Sequence, residues 1–289
     1  IIIGAGVVSG IERIVRLLMP MLFVLMIVMV VNSIINGDFA RGLSFLFAPN
    51  FSDVTPATFL SAMGQAFFSL SLGMGSIMCY GAYMPKDENV FNTSLTVCGL
   101  DTLIAIMAGL AIFPIIFAYG LEPDAGPSLV FISLLSVFWD MPFGNYIGPV
   151  FFILLSVAAL SSSISLLEPS VAFLSEEKIF SRKSASIILG LIAWFLGIGS
   201  LLSFNLWSEV NIIGDLNFLN SMDFLANQFL MPLGGMFVAI FAGWFLSTKI
   251  IKEELEPGQK KIFIVWKFFI KFISPTLVAF IFINQLFFS

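Results

Sequence analysis

The stretch of sequence that decides the fold is residues 65–75, which read QAFFSLSLGMG. It lies inside an apolar run, residues 59–84, that is long enough to cross a membrane. Glycine inside a helix costs about 1 kcal/mol relative to alanine, and a helix that only faced lipid would gain nothing from that cost. A helix that breaks at mid-membrane and exposes backbone groups to a ligand is typical of secondary transporters. A face of small residues packed against a neighbouring helix is the alternative, and these residues alone leave both open.

Composition places the chain among membrane proteins. Of its 289 residues, 59% are hydrophobic and 11% are charged, and the mean hydropathy is +1.04. Soluble domains carry about 25% charged residues, so we expect an all-α polytopic membrane protein. Histidine is absent, and Cys79 and Cys98 both lie in apolar stretches, so neither a disulfide framework nor a zinc site is indicated. With a net charge of −5, nothing suggests a nucleic-acid partner.

Apolar runs predict the membrane spans of a single transmembrane domain, residues 1–289, which is expected to be a fragment of a longer protein. A bilayer needs about 20 residues per helix. Residues 1–8 are expected to be the end of a helix that begins before this chain, and residues 129–139 a short re-entrant or lid-like helix. The predicted full spans are 13–35, 58–84 (broken near 69–75), 91–119, 147–174, 184–203, 219–247 and 263–288.

The lysines and arginines predict the orientation of these spans. If the loops alternate across the membrane, every lysine and arginine except Arg41 falls on one side. Cytoplasmic loops carry the excess of positive charge in membrane proteins. The first complete helix is therefore expected to start in the cytoplasm.

Three carboxylates lie at membrane depth, where ionisable groups are costly and usually functional. Glu168 has two structural alternatives, a protonated side chain or one capped by neighbouring hydroxyls. Asp223 has one as well, a solvated acid at the start of a helix. Asp101 is harder to explain structurally because its own helix offers no cationic partner nearby.

A second polar group consists of serines within the span 147–174. Helical spacing places Ala158, Ser161, Ser162 and Ser165 on one face. Hydroxyls beneath an open carbonyl suit sodium, a hard cation that takes oxygen ligands. The alternative is that each serine bonds back to a carbonyl of the preceding turn, which is common in membrane helices.

Several of these motifs resemble the neurotransmitter:sodium symporter family, and most closely its bacterial LeuT-like amino-acid transporters. The resemblance covers essentially the whole chain in order, and residues 65–75 are its most specific part. It implies a partial LeuT-like inverted-repeat fold, from the end of the fourth helix through the eleventh, in a bacterial inner membrane. The stretches that carry it are 10–13 with 19–20, 45–49, 65–75, 111–114 and 160–169.

The resemblance also implies roles for individual residues. Phe68 and Asp223 would form the outer gate. The implied sodium ligands, in two sites whose other halves come from the family's first helix, are Ser69, Asp101, Ala158, Ser161 and Ser162. The implied substrate-binding residues are Phe68, Ser69, Ser71, Met74, Ser162, Ser165 and Leu166.

One departure from the family pattern bears on the ions required. The position of Asp101 is often asparagine in the family, and chloride-dependent relatives balance the sodium charge with chloride beside a nearby serine. Here Asp101 supplies a negative charge itself, and Ala105 follows one turn later. We therefore expect that chloride is not required, and that Asp101 can take up a proton once sodium leaves.

The expected function is sodium-coupled symport of an apolar amino acid by alternating access. Met74 gives a deformable pocket wall, which suits a medium to large apolar side chain without identifying it. The expected partners are this small-molecule substrate and the lipid bilayer. A non-transporting membrane sensor or a channel of the same fold is the alternative. No enzyme activity is expected, and an intramembrane protease in particular would need a different set of polar residues.

Overall fold

The computed structural model describes residues 2–48, 50–123, 129–254 and 260–287. These residues are predominantly helical, with short turns of 3₁₀- or π-helix beside the α-helices. The α-helices are α1 (Arg13–Asn36), α2 (Phe39–Phe47), α3 (Pro56–Ser69), α4 (Ser76–Ala82), α5 (Val90–Ala118), α6 (Leu134–Asp140), α7 (Gly144–Glu176), α8 (Arg182–Leu202), α9 (Phe218–Asp223), α10 (Met231–Ile240), α11 (Thr248–Glu254), α12 (Lys260–Phe268) and α13 (Ser274–Phe287).

Within the described residues, six helical stretches are long and apolar enough to cross a membrane. The all-α membrane class is therefore confirmed, and the chain is a multi-pass membrane protein. The span 58–84, predicted to be broken near 69–75, consists of two short helices, α3 and α4, with non-helical residues between them. Residues 1, 49 and 288, which belong to the predicted stretches 1–8, 45–49 and 263–288, lie outside the described residues. The six stretches are Gly10–Asn36, Val90–Ala118, Gly144–Glu176, Arg182–Leu202, Phe218–Phe245 and Phe263–Phe280.

Polar side chains fix where several helices begin. The first amides of a helix lack helical partners, and a capping side chain satisfies them. Thr55 and Thr58 form a reciprocal capping box at the start of α3, where Pro56 occupies the first turn. Asn89 accepts from the Asn92 amide at 2.8 Å and so begins α5. Each cap lets an apolar helix start abruptly after a polar loop.

The largest packed core joins α1, α5, α6 and α7. Met29, Ile115, Ile116 and Leu134 are all at most 1% exposed within it. The segment expected to be re-entrant or lid-like is π-helical over Leu129–Ser133 and continues as α6, which packs against α7 through Phe138 and Phe151. This core lies on one side of the serine-bearing part of α7 and holds that helix in place.

Two local features were not expected from the sequence. A two-stranded antiparallel hairpin, β1 (Asn211–Ile213) with β2 (Leu216–Asn217), joins α8 to α9. The span that follows is not one regular α-helix, because turns of π-helix at Phe224–Leu230 and Phe241–Phe245 flank α10. Such turns are often found at functional sites, and the first of them begins directly after Asp223.

Candidate functional site

The site is built around the break between α3 and α4. The backbone there turns through left-handed conformations at Ser71 (φ 53°), Gly73 (φ 82°) and Gly75 (φ 83°). A side chain at Gly73 would approach the Met231 carbonyl oxygen to 2.4 Å and the Gly235 nitrogen to 2.6 Å. Glycine at this position therefore lets the unwound segment lie directly on α10. Ser71 has no such freedom, and strained residues of this kind cluster at functional sites.

The break brings a hydroxyl to a carboxylate at membrane depth. Ser69, the last residue of α3, donates its hydroxyl to Oδ2 of Asp101 on α5 at 2.9 Å. Asp101 is half-buried, and within the described part of the chain it forms no ion pair with a lysine or arginine. The two side chains together present several oxygen lone pairs and a negative charge that no residue of this part of the chain neutralises.

The serines of α7 form the opposite side of the site. The Ser161 hydroxyl donates to the Ala158 carbonyl at 2.8 Å, and the Ser165 hydroxyl donates to the Ser161 carbonyl at 3.1 Å. These are the back-bonds that the simpler alternative predicted. They do not remove the ligand capacity of the hydroxyls, because an oxygen that donates its hydrogen keeps two acceptor lone pairs.

Helix α4 is tied to this serine face by two further hydrogen bonds. Ser76 donates to the Ser165 carbonyl at 3.0 Å, and Tyr80 donates to the Ser165 hydroxyl at 2.9 Å. The position of α4 after the break therefore depends on α7. Tyr80 was not predicted as a site residue, because an aromatic residue in an apolar run carries no local signal of function.

Most of the predicted site residues line one cavity of about 870 Å³. This volume falls within the range typical of small-molecule sites. Asp101 and Ala158 are not among the lining residues, although each is hydrogen-bonded to one that is. The predicted residues that the cavity brings together are Phe68, Ser69, Ser71, Met74, Ser161, Ser162, Ser165 and Leu166.

Asp223 lies at a second, smaller cavity of about 380 Å³. Its carboxylate accepts from the Asn227 amide at 2.5 Å, and Gln65 and Gln228 line the same space. Phe68 lines both cavities, so its half-exposed ring lies between them. The two predicted gate residues thus meet at the smaller cavity.

Glu168 has a partner that the sequence did not suggest. Its side chain is 0% exposed, and both of its carboxylate oxygens lie 2.6 Å from Nη2 of Arg182, the first residue of α8. Tyr83 donates its hydroxyl to the same carboxylate at 2.9 Å, and Arg182 also donates from Nε to the Ile3 carbonyl at 2.9 Å. Glu168, which lies within α7, is therefore ion-paired with the first residue of α8. The Tyr83 hydroxyl does bond to Glu168, as the alternative of capping by hydroxyls predicted, but it does so in addition to the ion pair with Arg182.

Comparisons with known proteins agree with this geometry. The model of the family described as the sodium:neurotransmitter symporter family matches residues 1–288. The uncharacterized sodium-dependent transporter YhdH of Bacillus subtilis is 34% identical over 287 residues, covering 98% of this chain and 63% of the relative. An uncharacterized sodium-dependent transporter of Haemophilus influenzae is 38% identical over 290 residues, covering 99% of this chain and 63% of the relative. Both relatives are named as transporters and not as enzymes, as the sequence predicts.

A solved structure extends the likeness to three dimensions. The crystal structure of MhsT in complex with L-phenylalanine matches with a TM-score of 0.87 at 44% identity, covering 98% of this chain and 65% of MhsT. The predicted LeuT-like fold is confirmed by this match. This chain spans less than two thirds of the length of these relatives. From its sequence and its fold, the chain belongs to the sodium:neurotransmitter symporter family.

Proposed function

We propose that the protein containing this chain carries an apolar amino acid across the plasma membrane together with sodium, by alternating access. The observation that carries the proposal is the contact between Ser69 and Asp101 at the end of a broken helix, beside a cavity lined by hydroxyls. The names of the relatives, which are called sodium-dependent transporters, support the coupling to sodium.

The first sodium site would be held by Ser69 and Asp101. Hard cations bind carboxylate, hydroxyl and carbonyl oxygens. Ser69 at the helix break would supply its hydroxyl and carbonyl, and Asp101 of α5 would supply the carboxylate, which lies 2.9 Å from that hydroxyl. The donor set fits the ion, since the Asp101 carboxylate is half-buried and forms no ion pair within the described residues. Bound sodium would supply a positive charge that balances the Asp101 carboxylate.

The second sodium site would be held by the Ala158 carbonyl with the hydroxyls of Ser161 and Ser162. The Ser161 hydroxyl lies 2.8 Å from the Ala158 carbonyl oxygen, so two of these oxygens are already close together. Both serines also line the large cavity. In this arrangement the two sodium sites lie on either side of the substrate, and we propose that the rest of the protein completes both.

The substrate pocket combines apolar walls with a few hydroxyls. Phe68, Met74 and Leu166 supply apolar contacts, while Ser71 and Ser165 supply hydrogen-bonding groups. Such a lining suits an amino acid with a sizeable apolar side chain. MhsT, which is 44% identical to this chain over the matched 65% of its length, is described in complex with L-phenylalanine, and this supports the same substrate class here.

The outer gate would consist of Phe68 and Asp223. Phe68 separates the two cavities, so a change of its rotamer would open or close the route between them. Asp223 is exposed and forms no ion pair within the described residues, so it can pair with a cation from another part of the protein.

The membrane potential and the sodium gradient would drive accumulation. Each charge that crosses 100 mV contributes about 2.3 kcal/mol, whereas a tenfold substrate gradient costs about 1.4 kcal/mol. The distribution of lysine and arginine supports an orientation with the first complete helix starting in the cytoplasm. The similarity to bacterial relatives supports the bacterial inner membrane as the location.

The proposal is tested by uptake into proteoliposomes that contain the full-length protein. Labelled phenylalanine, leucine and tryptophan are offered under a sodium gradient and under a potassium gradient of equal size. We expect accumulation above equilibrium with sodium only. Facilitated entry without accumulation would indicate a channel, and binding without entry would indicate a sensor; either result would overturn the proposal.

Two serines of α7 provide a matched test of the second sodium site. Ser161 and Ser163 both bond back to a carbonyl, at 2.8 and 2.7 Å, but only Ser161 is among the residues that line the large cavity. Ser161→Ala is expected to raise the sodium concentration needed for half-maximal uptake about tenfold. The reason is that losing one ligand oxygen should cost about as much free energy as losing one hydrogen bond to a charged group. Ser163→Ala should leave it unchanged. Equal effects would argue against the assignment.

A further inference from the structure

The inner ends of the last two spans carry a group of lysines that the transport site does not use. Lys252 lies on α11, Lys267 lies on α12, and Lys271 lies on the turn of π-helix that follows, Phe269–Ile273. Lys267 and Lys271 both fall within the apolar stretch Phe263–Phe280, where a charged side chain is costly. We therefore expect each of these lysine side chains to have a partner that stabilises its charge.

Each of these three lysines lies against an aromatic ring, and Lys267 and Lys271, four residues apart, fall on the same face of their helix. The Phe263 ring lies between two of them, with the Lys252 ammonium 5.3 Å and the Lys267 ammonium 5.7 Å from its centroid. The Lys271 ammonium lies 4.1 Å from the centroid of the Trp244 ring. Trp244 in turn donates from Nε1 to the Lys271 carbonyl at 3.2 Å. Apolar ring surface therefore lies directly beside each ammonium group.

The same lysines have no acidic partner among the described residues. The Lys249–Glu253 pair, at 4.0 Å, is an exposed pair within α11. Among the side chains that the structure describes, no carboxylate lies within ion-pair distance of Lys252, Lys267 or Lys271. Lys267 donates to the Thr248 hydroxyl at 2.8 Å, which ties α12 to α11 but does not neutralise the charge. Excess positive charge therefore remains at this surface.

Helix direction places these ammonium groups near the inner headgroups. At 1.5 Å per residue, Lys271 lies roughly 12 Å along the helix from Phe263. Helix side chains lean toward the amino-terminal end, and long lysine side chains extend to the interface. In the orientation proposed above, on which this inference rests, that end is cytoplasmic. Lysine clusters at the cytoplasmic side of membrane helices bind anionic headgroups.

We propose that Lys252, Lys267 and Lys271 form a binding site for the headgroup of an anionic phospholipid of the inner leaflet. The phosphate accepts hydrogen bonds from the ammonium groups, and the first methylenes of the acyl chains lie against Phe263, Trp244 and Phe272. The lipid supplies the negative charge that the described residues do not. It also holds α11 and α12 together beside the bond between Lys267 and Thr248.

The test is a titration of lipid onto the delipidated full-length protein, followed by native mass spectrometry. Phosphatidylglycerol and phosphatidylcholine with identical acyl chains are the two probes. We expect the first phosphatidylglycerol to bind up to about a hundredfold more tightly than phosphatidylcholine, since three lysines contribute. Each lysine near a membrane surface contributes about fivefold, so K267Q/K271Q should remove most of that preference.

Further variants and a soluble competitor make the outcome of this titration decisive. K267R/K271R keeps the charge and should keep the preference, while K249Q, which alters the exposed pair within α11, should not change it. If K267Q/K271Q does not fold, K252Q replaces an exposed side chain and should weaken phosphatidylglycerol binding about fivefold.

Equal binding of both lipids, or an unchanged preference in K267Q/K271Q or K252Q, would overturn the proposal. So would displacement of phosphatidylglycerol by an equal concentration of glycerol phosphate, which would indicate a site for a soluble anion. The readout is lipid binding, so it can fail while sodium-dependent uptake persists, and the reverse.

Discussion

Two carboxylates at membrane depth, Asp101 and Glu168, have opposite surroundings. Glu168 is completely buried and is bonded to Arg182 and Tyr83. Asp101 is half-buried and bonded to the Ser69 hydroxyl, and no cation of the described residues pairs with it. A buried charge with a fixed partner stabilises one arrangement of helices. A partly exposed charge without a fixed cationic partner can bind an ion reversibly. The presence or absence of such a partner therefore distinguishes a structural carboxylate from an ion-binding one.

The largest expected effect is on stability, from breaking the Glu168 pair. Removing one member of a buried ion pair leaves an uncompensated charge and costs about 3–5 kcal/mol. Arg182→Gln should lower the free energy of unfolding by that amount, measured by denaturant unfolding in detergent. Lys249→Gln removes an exposed pair and should have no measurable effect.

A double variant sharpens this prediction. Replacing both members by uncharged residues, Glu168→Gln with Arg182→Met, should recover much of the loss, because no lone buried charge remains. If Arg182→Gln is as stable as the unmodified protein, then Glu168 is not held by this pair and the contrast with Asp101 disappears.

Asp101 should behave in the opposite way. Asp101→Asn removes a charge that no described residue neutralises, so stability without sodium should change little. The stabilisation that sodium confers should need at least tenfold more sodium, since an interaction with a charged group contributes about 1.5–3 kcal/mol. A sodium titration of the thermal unfolding midpoint measures both effects.

The adjacent residue supplies the control for Asp101. Thr102 bonds back to the Cys98 carbonyl at 2.9 Å and is exposed. Thr102→Val should therefore leave the sodium titration unchanged. A large loss of stability in Asp101→Asn without sodium would show that Asp101 is a structural residue like Glu168.

How far the sequence predicted this contrast depends on where each signal lies. The break near residues 69–75 could be predicted because glycine and serine inside an apolar run are visible locally. The serine face of α7 could be predicted for the same reason, since helical periodicity brings residues 158–165 together. The partner of Glu168 could not, because Arg182 belongs to the next helix and becomes a neighbour only when α7 and α8 pack. The turns of π-helix around α10 likewise have no sequence signal that we recognised.

Two tyrosines of neighbouring turns compare a hydrogen bond to a charged carboxylate with one to a neutral hydroxyl. Tyr83 donates to the Glu168 carboxylate at 2.9 Å, whereas Tyr80 donates to the neutral Ser165 hydroxyl at the same distance. A bond to a charged group contributes about 1.5–3 kcal/mol and a neutral one about 1 kcal/mol. Tyr83→Phe should therefore reduce the free energy of unfolding more than Tyr80→Phe does.

For uptake we expect the opposite order, with a larger effect from Tyr80→Phe than from Tyr83→Phe. Tyr80 and Tyr83 both line the large cavity, but only Tyr80 is bonded to Ser165, a proposed substrate-binding residue, so Tyr80→Phe should raise the KM for the amino acid more than Tyr83→Phe does. Should Tyr83→Phe be the less destabilising of the two, the bond to Glu168 contributes little and Arg182 alone holds that carboxylate.

The smallest expected effect is none at all, and it concerns chloride. Sodium bound near Asp101 meets a carboxylate whose charge no described lysine or arginine offsets, and Ala105 leaves no hydroxyl one turn later. The negative charge of the site is therefore supplied by the protein, so replacing chloride with gluconate should leave sodium-dependent uptake unchanged. A strong loss of uptake in gluconate would mean that Asp101 is neutralised by a cation from another part of the protein. In that case Asp101 would resemble Glu168, a paired structural charge, and the distinction drawn between the two carboxylates would fail.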